Sequence, residues 1–428
     1  MKFVNFASGV NIGRWIMKNS QKPNRYHLDL SATFYPYMTS KKAQSLFCVS
    51  AVLADKVDKE LLRRAVNEVM GRFPTYKVRL KKGYSRYYLE ENFKQVLVFE
   101  WNGRPQTPIN PKLTNGYLFR LSYEDRTVYL EMFHALTDAN GAMKLLLATL
   151  RRYRELTGIS FDENCDILTA RESVPERELE DSFVANYKPI PLSKLNLKSM
   201  AGGAPYRVTG EYSEHYHIVS AEYESAKLLE KSRAMGVSLT AYISAITACA
   251  MAHNAKKCDG KLKRPIALMI PVNLRNLFES VTARNFITFV RLVLDEKDCD
   301  SLETCAKSCA KQLTEKVNKE DMQKFVSTTV RAQRNFIFKI VPLWLKWLLI
   351  RFGRLFMKSR QTIIISNLGN IKVPAELGVE SLSLYLNVSK NNVHNLGIAS
   401  TNGTVSLAFT NAIKNTDVPN EVLRELGR

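Results

Sequence analysis

The chain has 428 residues, 45 % of them apolar and 24 % charged. This globular balance excludes a disordered, collagenous or disulfide-stapled small protein, and the length corresponds to about two to four domains. Lysine and arginine outnumber aspartate and glutamate 62 to 41, a net charge of +21, which favours anionic partners such as a membrane surface, nucleic acid or an acidic or phosphorylated substrate. The seven cysteines form no C-x-x-C pair, and Cys305 and Cys309 lie one helical turn apart. They read as reduced thiols packed in helices, in a reducing compartment. Residues 1–20 carry no signal-peptide pattern, and no stretch reaches the roughly 18 uncharged apolar residues of a spanning helix. The expectation is a cytoplasmic monomer, with peripheral membrane attachment as an added reading.

In chain order, Ser45–Ala54 is an apolar, β-branched run and predicts a buried strand. Asp58 then caps a helix with apolar positions Leu61, Leu62, Ala65, Val66, Val69 and Met70, ended by Phe73-Pro74. Strands are predicted over Tyr84–Glu90, Gln95–Trp101, Tyr117–Tyr123 and Thr127–Phe133, with turns at Asn102-Gly103 and Asn115-Gly116. A helix follows over Ala139–Leu156. From Arg171 to Ala204 charge, proline and glycine accumulate, which predicts a long surface crossover. The second half repeats the theme. A strand at Val208–Ser220 precedes helices at Ala221–Met235 and Leu239–His253, the latter capped by Ser238. Strands at Ile266–Val272 and Phe286–Leu294 lead to helices at Ser301–Lys319 and Glu320–Phe336. Strands at Thr362–Ser366, Leu382–Val388, Leu396–Ser400 and Val405–Thr410 close the pattern, the last two joined by a hairpin at Thr401-Asn402-Gly403. The expected class is α/β (α+β), as two mixed-sheet halves, 1–190 and 191–428.

The chemistry-bearing segment is Thr127–Leu150. An alternating strand ends at Phe133, His134 and Asp138 follow four apart, and an amphipathic helix begins. Side chains between a strand end and a helix start project into clefts, and a histidine there can take a proton from a hydroxyl or amine. Taken alone, His134 reads equally as a core histidine and Asp138 as a helix cap. His27, His215, His217, His253 and His394 lack a partner of comparable spacing. His215 and His217 share one strand face, but no further ligand is evident, so no metal is expected.

Four segments in order carry a resemblance. His134-Ala-Leu-Thr-Asp138-Ala-Asn-Gly141 resembles the HHxxxDG motif of the chloramphenicol acetyltransferase-like superfamily, which includes condensation domains, BAHD acyltransferases and wax ester synthases. Pro271-Val-Asn-Leu-Arg275 resembles the strand bearing the family's arginine, Arg284–Thr288 the GNF-type stretch, and Ser366-Asn367-Leu368-Gly369 the SN-x-G strand end. The resemblance spans nearly the whole chain and is nearest to the bacterial alcohol O-acetyltransferase-like branch. Phe133 replaces the first histidine of the motif, and Ala139 the glycine after the aspartate.

The resemblance implies two facing halves with a tunnel between them. It implies an acyltransferase with no bound cofactor, using acyl-CoA or an acyl carrier protein as donor and an alcohol or amine as acceptor. His134 is then the general base and Asp138 its catalytic companion, ion-paired to Arg275. Asn285, Ser366 and Asn367 are candidates for the tunnel wall or oxyanion contacts. A catalytically silent relative that binds lipid or a carrier protein as a scaffold is the competing reading. A nucleic-acid partner is not expected, because no recognition motif accompanies the dispersed charge.

Pro342–Met357 is the second notable segment. On a helix, Val341, Leu345, Leu348, Phe352, Leu355 and Phe356 line one side, and Lys339, Lys346, Trp347, Ile350, Arg351, Arg354 and Lys358 the other. The readings are a core helix with a basic outer face, or an interfacial helix meeting an anionic membrane through Trp344, Lys346, Trp347 and Arg351.

Overall fold

The computed structural model describes residues 23–40, 44–191, 203–334, 340–356, 360–389 and 392–428. Two sheets with separate cores organise it. The first has five strands in the order Val379–Tyr385, Leu46–Leu53, Thr127–Phe133, Phe119–Glu124 and Val98–Glu100. The second has six, in the order Ile287–Leu294, Ile266–Asn273, Ile363–Asn370, His394–Thr401, Thr404–Ile413 and Tyr212–Glu224. A small sheet pairs Arg25–His27 with Tyr87–Glu91 and Val78–Lys82.

The first sheet is built around Leu46–Leu53, whose residues are buried on both faces and therefore read as a continuous apolar run rather than an alternating one. It pairs antiparallel with Thr127–Phe133, Leu46 opposite Phe133, which delivers the end of that strand to the edge of the core. Two helices cover this sheet. Lys59–Val69 is capped by Asp58, whose carboxylate accepts from Leu61 N at 2.9 Å, and buries Leu62, Ala65, Val66 and Val69. Ala139–Leu156 spans the residues expected from the sequence and packs beside it.

The second sheet is covered by the alanine-rich helix Leu239–Asp259, which buries most of its length and packs against Leu302–Lys316. Cys305 and Cys309 are buried there. Among the described residues no single helix is long and apolar enough to cross a membrane.

The two sheets do not divide at one point in the chain. Strand Val379–Tyr385 comes from the second half but forms the edge of the first sheet, opposite Cys48–Leu53. It also lies against the second sheet, where Ser383 and Ser406 hydroxyls meet at 2.7 Å. At this crossing a Cβ on residue 397 would stand 1.8 Å from Leu384 O, so only glycine fits at position 397.

Several boundaries differ from the expected ones. Tyr212–Glu224 remains a strand through Ala221 to Glu224, because these residues pair in register with Leu407 to Thr404; the helix expected from Ala221 begins at Ser225. Val78–Lys82 and the C-terminal helix Asp417–Gly427 have no counterpart in the sequence expectation. The crossover is not a passive connection over its described part. It holds two short helices, Glu176–Leu179 and Ser182–Ala185, buries Phe183, and receives the Thr282 hydroxyl on the carbonyls of Glu178 and Glu180 at 3.1 Å each. Residues 192–202 lie outside the described residues.

Candidate active site

His134 is the first residue beyond strand Thr127–Phe133, and its N–H donates to Ser45 O at 2.9 Å. Its ring is stacked on Tyr35, with centroids 4.8 Å apart and planes at 14°, and is tilted against Phe47 at 4.8 Å. Nδ1 lies 3.2 Å from Asn285 Oδ1. The orientation of that amide is fixed independently. Asn285 Nδ2 donates to the His134 carbonyl at 3.0 Å and to Asp29 Oδ2 at 3.0 Å, and Asn285 N donates to the same carboxylate at 3.3 Å. A carbonyl can only accept, so the NH₂ end faces it and the oxygen faces the ring. Nδ1 therefore carries the proton in the neutral imidazole, and Nε2 keeps its lone pair.

Burial lowers the His134 pKa below its ordinary value; the Asn285 contact and the Asp138 charge oppose this only in part. The ring is thus held neutral near neutral pH, in the tautomer a base requires. The two amide hydrogens of Asn285 go to Asp29 and to the His134 carbonyl, so none is left for a substrate oxyanion. The side-chain amide of Asn285 thus bonds the imidazole, the His134 carbonyl and Asp29, which speaks against the oxyanion part of the expectation for this residue.

Asp138 is 1 % exposed. Its Oδ1 accepts from Gly141 N at 3.1 Å, capping helix Ala139–Leu156, and its Oδ2 accepts from Arg275 Nη1 at 2.8 Å and Phe286 N at 3.0 Å. Arg275 in turn donates through Nε to Thr282 O at 3.0 Å, through Nη1 to Asn273 Oδ1 at 3.2 Å, and through Nη2 to Arg284 O. One ion pair thus ties the start of the helix to the loop that carries Asn285. Both carboxylate oxygens of Asp138 are engaged in this way, and among the described residues it makes no hydrogen bond to the His134 ring.

A second polar group braces the same junction. Tyr76 Oη and Thr137 Oγ1 both donate to Ala283 O. Gly141 makes the approach possible: a Cβ there would stand 2.1 Å from Ala283 O and 2.1 Å from Thr137 Oγ1. Ala139 occupies the first turn of the regular helix, and Phe133 is a core residue, 1 % exposed.

Ser366 and Asn367 lie on strand Ile363–Asn370. Ser366 is buried opposite Gly397. Asn367 accepts from Gly369 N at 2.8 Å and donates to Thr240 Oγ1 at 3.1 Å, the bonding of a strand-to-turn cap; Gly369 has φ +76°. Among the described residues no hydrogen bond joins either to His134. The groups that sequence reasoning missed are Asp29, Tyr35, Phe47, Tyr76 and Thr137. Only Thr137, directly before Asp138, lay inside a motif. Among the described residues no group of three His, Cys, Asp or Glu side chains is placed to hold a metal.

Helix Leu343–Phe356 departs from the core-helix reading, in which the cationic side faces out and the apolar side in. Lys346 and Ile350 face inward, with Lys346 only 8 % exposed and its Nζ donating to Ser85 O. Trp344, Trp347, Leu348, Leu349 and Phe352 are exposed, Trp344 by 67 %. Lys346 is therefore not a membrane-facing cation. Lys339, Lys358 and the side chains of Arg351, Arg354, Leu355 and Phe356 lie outside the described residues.

The profile of a family described as phthiocerol/phthiodiolone dimycocerosyl transferase C-terminus matches residues 214–411. Polyketide synthase associated protein 5 from Mycobacterium tuberculosis superposes with a TM-score of 0.59 at 13 % identity, covering 96 % of this chain and 98 % of that one. The wax ester synthase/diacylglycerol acyltransferase from Marinobacter aquaeolei VT8 does so with a TM-score of 0.53 at 11 % identity, over 94 % and 98 %. The chain has the fold of the chloramphenicol acetyltransferase-like superfamily. The same superfamily fold appears in a variant of the starter condensation domain of rhizomide synthetase, solved in complex with C8-CoA, with a TM-score of 0.60 at 13 % identity over 94 % of each chain. A comparison with curated protein sequences finds no match.

Proposed function

We propose that the protein transfers an acyl group from a thioester to an alcohol or amine, with His134 Nε2 as the general base. The observation that carries this reading is the locked amide of Asn285, which keeps the proton on Nδ1 and the lone pair on Nε2. In the reaction, the acceptor heteroatom attacks the thioester carbonyl as its proton passes to Nε2. The tetrahedral intermediate then expels the thiolate, which takes that proton back from the imidazolium. Proximity and one base suffice, and no acyl-enzyme forms. Asp138 and Arg275 hold the loop, and Asn285 and Asp29 hold the ring.

The donor is acyl-CoA or an acyl carrier protein. The C8-CoA bound to the rhizomide synthetase domain supports a CoA thioester, and a net charge of +21 suits either anionic donor. A lipophilic alcohol acceptor is supported by the likeness to the wax ester synthase/diacylglycerol acyltransferase. The exposed apolar side of Leu343–Phe356, with Trp344 and Trp347, is proposed to rest on an anionic membrane where such an acceptor dissolves. The silent-scaffold reading draws on Phe133 and Ala139. Phe133 packs in the core and Ala139 sits in the first turn of a regular helix capped by Asp138, so neither replacement interrupts the strand or the helix that flank His134.

The test is thiol release from acyl-CoA of graded chain length against a panel of alcohols and amines. Acceptor-dependent release is expected, and His134→Ala lowers it by roughly 10²–10⁴-fold, the usual contribution of a general base. No acceptor-dependent release, or normal turnover by His134→Ala, overturns the reading.

A further inference from the structure

A cavity of about 180 Å³ lies beside the candidate active site, lined among others by Phe34, Tyr37, Tyr87, Ile350, Arg86 and Lys346. Most of its wall is apolar or aromatic, and Tyr37 and Tyr87 meet edge to face at 5.3 Å. The two cations are the anomaly. Lys346 is buried, and one of its three N–H donors goes to Ser85 O. Arg86 is close enough to disfavour the Lys346 charge further, beyond the effect of burial. No Asp or Glu lines the cavity, and among the described residues neither cation has an ion pair. A buried Lys346 beside an apolar wall, with the exposed Arg86 near it, is costly to keep charged unless an anion joins it. One wall is shared with the site. Segment 27–37 turns Phe34 and Tyr37 to the cavity, while its Tyr35 stacks on His134 and its Asp29 anchors Asn285.

We propose that this cavity binds an amphiphilic anion, its apolar body against Phe34, Tyr37, Tyr87 and Ile350 and its carboxylate or phosphate on Arg86 and Lys346. The volume is close to the roughly 150 Å³ of an apolar cavity that accepts benzene, so it holds the head and the first few carbons of such a ligand. The source is either a free acid or a membrane lipid. The site stands independently of acyl transfer, because binding needs no thioester.

The experiment is calorimetric titration of the full chain with decyl phosphate, decanoate, decanol and inorganic phosphate, with no acyl donor present. Decyl phosphate and decanoate should each bind at least about tenfold more tightly than decanol, the lower end for a hydrogen bond to a charged group. Inorganic phosphate alone should bind more weakly than decyl phosphate. Arg86→Ala, a change at an exposed side chain, and Lys346→Met should each remove the preference for the charged head, while His134→Ala should retain it. Thermal melts identify a variant that fails to fold, and Arg86→Ala then decides alone. Competition separates the sources: displacement of decyl phosphate by phosphatidate-containing vesicles points to a membrane lipid, and displacement by free decanoate only points to a soluble acid. Equal affinity for decanol and decyl phosphate, phosphate alone binding as tightly as decyl phosphate, or an unchanged affinity in Arg86→Ala overturns the proposal.

Discussion

Substituting Gly141 by alanine tests the packing that brings the two halves of the site together. The added methyl would stand 2.1 Å from the Ala283 carbonyl oxygen, 2.1 Å from Thr137 Oγ1 and 2.5 Å from Tyr76 Oη. Ordinary contact for a Cβ begins at 3.4 Å, so the neighbours must retreat by roughly 1 Å. The two hydroxyls can rotate, but Ala283 O is backbone, and Arg275 holds the carbonyls of Thr282 and Arg284 on either side of it. Overpacking of a tight core costs about 1–3 kcal/mol, and a fixed backbone neighbour places this case at the upper end, about 3 kcal/mol. The expected fall in Tm is at least roughly 5 °C, scaled from mid-sized domains. Relief of the clash pushes the 283–286 segment away from the helix start, lengthens the Phe286–Asp138 and Asn285–His134 contacts, and lowers turnover. Gly71 is the control, because nothing lies within 4 Å of a Cβ there and its φ is not positive. Paired thermal melts and thiol-release assays read the outcome. If Gly141→Ala melts with Gly71→Ala and turns over normally, the close approach argued here is wrong.

Three further outcomes follow from the same geometry. Asp138→Ala strands Arg275 and removes the acceptor of Gly141 N and Phe286 N, so chemical denaturation should show a loss of about 3–5 kcal/mol; in a cycle with Arg275→Ala the double variant should lose less than the sum of the singles, and additive losses would sink the pairing. Burial raises the Asp29 pKa to about 6, above its unfolded value near ~3.9, so the folded state holds this proton more tightly and its contribution is present at low pH and lost as pH rises through about 6, by about 3 kcal/mol. Denaturation of Asp29→Asn beside the parent across that window should therefore show the variant gaining relative stability as pH rises, whereas a constant difference would refute the assignment. Replacing exposed Trp344 and Trp347 by serine should leave the melting curve nearly unchanged but reduce co-sedimentation with anionic vesicles; a large drop in Tm would return these residues to the core.

The fold was legible where periodicity was strong. Thr127–Phe133 and Ala139–Leu156 could be read to the residue, because an alternating strand, a capping aspartate and an amphipathic helix all point the same way. Tyr212–Glu224 was harder. Its upper end has no composition of its own that stops it, and only pairing with Thr404–Leu407 extends it. The orientation of helix Leu343–Phe356 stayed open between two readings because its apolar residues occur on more than one side. Which side is buried depends on the Ser85 carbonyl that receives Lys346, a contact spanning 261 positions that no local pattern encodes. The same holds at the site. His134 and Asp138 stand in a motif, whereas Asp29 reaches Asn285 across 256 positions, and Tyr35 reaches His134 by stacking alone.

Base catalysis by His134 depends on where one proton sits. Nitrogen NMR of the protein labelled at its six histidines, with His134 assigned by comparison with His134→Gln, locates it directly. The expected result is a neutral ring protonated at Nδ1, titrating below the ordinary value near ~6.5, and an Asn285→Ala variant in which this preference is lost. A neutral ring protonated at Nε2 in the parent protein would contradict it, because the nitrogen assigned as the base would then have no lone pair to accept with.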